Sequence, residues 1–134
     1  MEKTLINPPE LARPVGFNHG IVVQGGRLLF LAGQDASGAD GAIVAPGDML
    51  AQAAQVLTNL RAVVEAAGGQ MHDIVKLNIY VTDRAAYTAQ RKPLGGLFRA
   101  YFGAYYPAMA LFEVRSLFQD QALIEMEGLA VIAP

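Results

Sequence analysis

Asp48-Met49-Leu50-Ala51-Gln52-Ala53-Ala54-Gln55-Val56-Leu57-Thr58-Asn59-Leu60-Arg61-Ala62-Val63-Val64-Glu65-Ala66-Ala67-Gly68-Gly69 reads as a helix from end to end. Asp48 is a good N-cap, because its short side-chain oxygen can accept from a free backbone amide. Leu50, Ala53, Ala54, Leu57, Leu60, Val64 and Ala67 recur at helical spacing. Gly68-Gly69 then stops the helix. Directly afterwards the period changes from helical to two. Within 73–82, Val75, Leu77, Ile79 and Val81 alternate with Lys76, Asn78 and Tyr80, the pattern of a half-buried strand. An amphipathic helix running into an amphipathic strand predicts helices laid over a sheet.

Working outward, Asp83 caps a second helix, which Pro93-Leu94-Gly95-Gly96 interrupts and 97–102 resumes. Gly103 closes it, and Pro107 forbids continuation. Strands follow at 108–114 and 122–132, with Phe118-Gln119-Asp120-Gln121 turning between them. Upstream, residues 20–24 and 27–32 read as two strands of a hairpin around Gly25-Gly26, and Gly33-Gln34 ends the second. Residues 35–47, rich in Gly, Asp and Ala, read as loop. Pro8, Pro9 and Pro14 make residues 5–16 an extended arm. The predicted order is β-β-α-β-α-β-β: an α/β (α+β) domain over 1–134, with helices on one face of a mixed sheet. The strand 108–114 carries Met109 and Leu111 on one side and Ala110, Phe112 and Val114 on the other. Neither face therefore reads as fully wet, and the face without helices is expected to pack against other subunits.

Composition bounds the function. The chain has 134 residues, 53% hydrophobic and 16% charged, with net charge −2. That balance excludes a disordered chain. The lysines and arginines are scattered without a basic run, so the footprint of a nucleic-acid binder is missing. The absence of cysteine removes disulfides, thiolate metal sites and cysteine nucleophiles, and two histidines make a dedicated transition-metal site improbable. No apolar run reaches the roughly 20 residues of a membrane helix, and the N-terminus has no secretory pattern. The expectation is a soluble cytoplasmic protein without membrane or nucleic-acid partners.

No generic catalytic motif stands out, neither a Walker loop nor GxGxxG, HExxH or GxSxG. Glu125 and Glu127, two apart on a strand, share a face at roughly 7 Å. They read either as a polar stripe at a sheet edge or as an acid/base pair. His19, before the first strand, is either a turn histidine with a structural hydrogen bond or a base near neutrality. Arg115 could grip a carboxylate bidentately or join a surface ion pair. His72 reads as an exposed loop residue, and Tyr101, Tyr105 and Tyr106 as helix-end packing.

Several segments, in order, resemble the reactive intermediate deaminase (Rid, or YjgF-type) family: Asn7-Pro8-Pro9 with 14–20; Leu29-Phe30-Leu31-Ala32-Gly33-Gln34; 52–68; 73–76 with 81–83; Tyr101-Phe102; Pro107-Ala108; and Ile124-Glu125-Met126-Glu127-Gly128-Leu129-Ala130. The resemblance implies a chorismate-mutase-like fold and a homotrimer with ligand clefts between subunits. It also implies hydrolysis of enamines or imines to release ammonia, without metal or organic cofactor. In that family an arginine after Pro-Ala binds the substrate carboxylate, and a glutamate on the last strand helps place water.

Here the arginine position is Met109, which cannot pair with a carboxylate. The family's leading tyrosine corresponds to Phe17, its serine before Gly33-Gln34 to Ala32, and its second-helix asparagine to Gly95. Glu125 remains. The implied site comprises Glu125, with His19 as spare base, and Phe17, Ala32, Gly33, Gly95, Met109, Ala110 and Arg115 around the substrate. Backbone amides near Met109 and Ala110 would polarise it. Arg115 and Arg99 are the arginines that could replace the anchor from another direction. The alternative is a non-catalytic trimer binding a small apolar metabolite. A ribonuclease reading, attached to the family by an old label, conflicts with the net charge.

Overall fold

A computed structural model describes residues 1–134. The helix α1 spans Met49–Ala66, and the Asp48 side chain accepts from the Ala51 amide at 3.0 Å. Its apolar stripe is fully buried at Ala53, Val56, Leu57, Leu60 and Val64. Gly68, at φ +88°, takes the left-handed turn that ends it, and the Gly69 amide donates to the Val64 carbonyl at 2.9 Å. This element follows the sequence pattern because cap, stripe and stop all agree.

In chain order, β1 is Glu2–Ile6, β2 Gly20–Gln24, β3 Arg27–Gln34, β4 Ile74–Val81, β5 Ala108–Glu113 and β6 Ile124–Ile132. Four of them form one sheet in the order β3-β6-β4-β5, with β4 and β5 parallel and the other pairs antiparallel. A parallel pair needs a crossover, which α2 (Arg84–Ala89) and α3 (Arg91–Phe102) supply. Leu77, Ile79 and Val81 are buried beneath the helices, while Lys76, Asn78 and Tyr80 alternate to the opposite face. That face, free of helices, carries Leu28, Phe30 and Phe112 at 66%, 73% and 46% exposure, so it is indeed rich in large apolar groups.

The structure corrects three expectations. The arm begins as a strand: β1 pairs with β2 from Glu2↔Gln24 to Ile6↔Gly20. The local sequence is a poor guide there because the pairing is long-range, and Lys3 helps hold it. Its ammonium sits 4.1 Å from the Tyr105 ring centroid and donates to the His72 carbonyl. Secondly, β2 and β3 are not a paired hairpin. β2 pairs with β1 and β3 with β6, so Gly25-Gly26 forms a corner between two sheets. Both glycines have positive φ, and a Cβ on Gly26 would stand 2.6 Å from Val131 Cγ1, so the glycine signal reports a close approach as well as a turn. Thirdly, the second helical region breaks at Gln90, not at Pro93. Pro93 is the third residue of α3, where its missing amide forfeits no helical bond, and Gly95-Gly96 lie inside the helix. Smaller shifts extend β3 through Gly33-Gln34 and start β6 at Ile124.

Candidate functional site

The expected site residues fall into two groups. The first surrounds a cavity of about 680 Å³ between α3, β5 and the arm. Phe17, Gly95, Met109 and Ala110 all line it. Asn18 fastens the arm. Its backbone N–H donates to the Pro107 carbonyl at 3.1 Å, its Nδ2 donates to the Tyr106 carbonyl at 2.6 Å, and its Oδ1 accepts from Asn7 at 2.8 Å. The Asn7 oxygen in turn accepts from the His19 amide at 2.8 Å. These bonds seat Phe17 over the cavity mouth. They also explain why Asn18 tolerates burial: its polar atoms are partnered.

His19 meets the Phe17 ring edge-on, with centroids 5.1 Å apart. Its Nε2 lies 2.7 Å from the Ala12 carbonyl. A carbonyl only accepts, so Nε2 carries the proton in this bond and Nδ1 is the remaining basic nitrogen.

The second group lies on the helix-free face. Glu125 and Glu127 flank the fully buried Met126, so both point away from the helices. Glu127 accepts from the Tyr80 hydroxyl at 2.5 Å, which pushes that phenol's pKa up. Glu125 lies on the backbone of β3: a Cβ on Gly33 would fall 2.4 Å from its Oε2. Only glycine leaves the carboxyl this berth. Burial raises the Glu125 pKa, and the charges of Asp35 and Glu127 raise it further. Asp35 is itself fixed by the loop: its Oδ1 accepts from the Ser37 amide at 3.0 Å and its Oδ2 from Gln119 at 3.3 Å. Asn59 of α1 donates to the Asp35 and Ser37 carbonyls at 3.1 and 2.9 Å. Ala32 precedes Gly33 on the same strand and is exposed. A half-buried carboxyl with a raised pKa is equipped to take a proton from water and return it.

The two groups do not meet within one chain. Met109 is in register with Leu77 and packs toward the core, whereas Glu125 is in register with Tyr80 on the other face. β4 also separates β5 from β6. Arg115 belongs to neither group: it follows β5, is exposed, and does not line the cavity. Arg99 does line it, together with Arg91. Arg91, Tyr87, Leu94 and Phe98 are wall residues that the sequence reading passed over, although Arg91, Gly95 and Arg99 at spacings of four were a legible helical face. Tyr80 could have been found from its alternation in β4. His72 is exposed, as expected, but sits in a single 3-10 turn, Met71–Asp73. Tyr101 and Tyr105 bond to Thr58 and to the Ile74 carbonyl, at 2.5 and 2.7 Å, consistent with helix-end packing, whereas Tyr106 borders the cavity. No three His, Cys, Asp or Glu side chains converge as a metal-binding set, and no helix is long and apolar enough to cross a membrane.

Residues 10–132 match the family described as Endoribonuclease L-PSP. The chain is 31% identical to a RutC family protein of Pyrococcus horikoshii over 96% of this chain and 97% of that one. It is 30% identical to a 2-iminobutanoate/2-iminopropanoate deaminase of Dermatophagoides farinae, over 97% of each. Among solved structures, a Rid family protein of unknown function from Yersinia pestis superimposes with a TM-score of 0.88 at 35% identity, covering 98% of this chain and all, 100%, of that one. The YjgF gene product of E. coli gives 0.69 at 33% identity, covering 93% of each. The fold is accordingly the chorismate-mutase-like one of the Rid proteins. With the family match running over residues 10–132 and relatives matched over nearly the full length, the chain belongs to the Rid (YjgF) family.

Proposed function

We propose that this protein is a cofactor-independent hydrolase that deaminates a reactive imine or enamine in clefts shared between subunits of a cytoplasmic homotrimer. The observation that carries the reading is the Glu125 carboxyl, berthed on Gly33 with its pKa raised by burial and by Asp35 and Glu127. The opposite facing of Met109 and Glu125 supports a cleft shared by two copies, because neither group can complete the other within one chain. The likeness to a 2-iminobutanoate/2-iminopropanoate deaminase supports the reaction class.

In the proposed reaction Glu125 takes a proton from water as its oxygen bonds to the imine carbon. The C=N bond becomes C–N, and the proton passes to nitrogen. Glu125 then takes the proton of the new hydroxyl and returns it to nitrogen as the C–N bond breaks, releasing ammonia and leaving a carbonyl. Amides of the edge strand β5 near Met109 and Ala110 would polarise the substrate, with His19 as spare base. With Met109 in the arginine's place, the usual small 2-imino acid loses its anchor, so a neutral or differently anchored substrate is preferred. One observation favours a second reading, binding without catalysis: 10 of the 14 residues lining the cavity are hydrophobic.

The test is ammonia release from freshly generated 2-iminopropionate and from bulkier imines, comparing wild type with Glu125→Gln. Release that depends on Glu125 supports the deaminase. No release above background from any of them leaves the binding reading.

A further inference from the structure

Arg91 and Arg99 are the cationic residues of the cavity, and no acidic residue lines it. Arg91, Gly95 and Arg99 recur every four residues along α3, so they share a face, with the two arginines about 12 Å apart along the axis. Helical side chains lean toward the N-terminus, which sends the Arg99 guanidinium back over the preceding turn. Its Nη1 lies 3.7 Å and its Nη2 4.0 Å from where Cβ atoms on Gly95 and Gly96 would stand. Glycine weakens a helix interior, and neither of these two has a positive φ that would demand it. What the pair does supply is room. A branched or amide side chain at Gly95 would contest the space the guanidinium occupies.

The guanidinium is also uncommitted. Arg27 donates to the carbonyls of Ala133 and Ala67, and Arg61 lies 4.8 Å from the Tyr101 ring centroid. Arg91 and Arg99 make no such bond, and apart from the phenols of Tyr87 and Tyr106 the remaining walls of the cavity, among them Phe17, Leu94, Phe98, Met109 and Leu111, are apolar. A planar fork of donors at the edge of an apolar pocket suits a carboxylate attached to an apolar body.

We propose that Arg99, seated over Gly95 and Gly96 with Arg91 about two helical turns behind, binds the carboxylate of a 2-imino or 2-oxo acid whose bulky apolar side chain fills the cavity beside Met109. The anchor has moved from the strand to the helix. Met109 then provides apolar wall where a charge would be, and the pocket selects large side chains over small ones. The inference rests on the proposed location of the substrate cleft, but not on turnover.

Calorimetric binding of phenylpyruvate, a stable 2-oxo acid, tests it on the full-length protein. Wild type is expected to bind phenylpyruvate more tightly than pyruvate, which lacks the body, and than phenylpyruvate methyl ester, which lacks the charge. Arg99→Gln should weaken phenylpyruvate by roughly 10- to 100-fold, the loss of one charge-assisted contact. Arg99→Lys should recover part of the affinity, and Arg115→Gln should leave it unchanged. Equal binding of acid and ester, undiminished binding by Arg99→Gln, or no binding of phenylpyruvate by wild type overturns the proposal. Arg99-dependent binding without ammonia release from the matching imine would instead remove the deaminase reading and leave the anchor standing.

Discussion

Replacing Gly33 by alanine separates the role of Glu125's position from that of its mere presence. The new Cβ would stand 2.4 Å from Oε2 and 3.0 Å from Cδ of Glu125, where ordinary contact begins at 3.4 Å. The oxygen must therefore retreat by about 1 Å, the difference between 3.4 and 2.4 Å. It can do so because it is the free end of a flexible side chain. The backbone raises no objection, since Gly33 is not among the residues with positive φ. Alanine also narrows the unfolded ensemble, an effect worth about 0.4–1 kcal/mol in favour of the fold. The melting temperature should stay level or rise slightly. Activity should not: a misplacement of about 1 Å in a catalytic group can cost on the order of 100-fold, or about 2.7 kcal/mol at 1.36 kcal/mol per tenfold. The assay is the initial rate of ammonia release from an imine that wild type turns over, run beside a thermal melt. A variant that melts like wild type and also turns over at the wild-type rate would falsify the placement of Glu125 on Gly33 as a condition for catalysis.

Two other substitutions probe electrostatics and packing. Because burial, Asp35 and Glu127 raise the Glu125 pKa in the fold, the folded state holds this proton more tightly than the unfolded chain. Ionising Glu125 thus costs stability as pH rises through its folded pKa, and that cost is absent below the ordinary carboxylate value. Glu125→Gln should accordingly gain melting temperature relative to wild type at about pH 8 and gain less at about pH 4; a difference independent of pH contradicts the assignment. Gln52 is fully buried, donating to the Ala45 and Gln121 carbonyls at 3.3 and 3.0 Å and accepting from the Leu123 amide at 2.8 Å. Gln52→Leu leaves those backbone groups unpartnered, at a cost of about 3 kcal/mol. For this chain length the melting temperature should fall by about 10 °C; an unchanged melt would mean that the three bonds contribute nothing net.

Local sequence was sufficient wherever neighbouring residues decide the outcome. The helix 49–66 carries its own cap, stripe and stop, and β4 displays its alternation within eight residues. The ordered resemblance to the Rid family was also legible, because it rests on residue identities in sequence. Tertiary structure decided what depends on residues far apart in the chain. β1 exists because β2 pairs with it, and Gly25-Gly26 is a corner because β6, about a hundred residues away, claims β3. Pattern alone could pair Glu125 with Glu127, but the berth on Gly33 and the charge of Asp35 come from β3 and the loop that follows it. The face of each strand, set by register, sends Met109 and Glu125 to opposite sides of the sheet. Arg99 and Arg115 are equally plausible anchors on paper; the helical lean over two glycines puts one guanidinium at the cavity and leaves the other outside it.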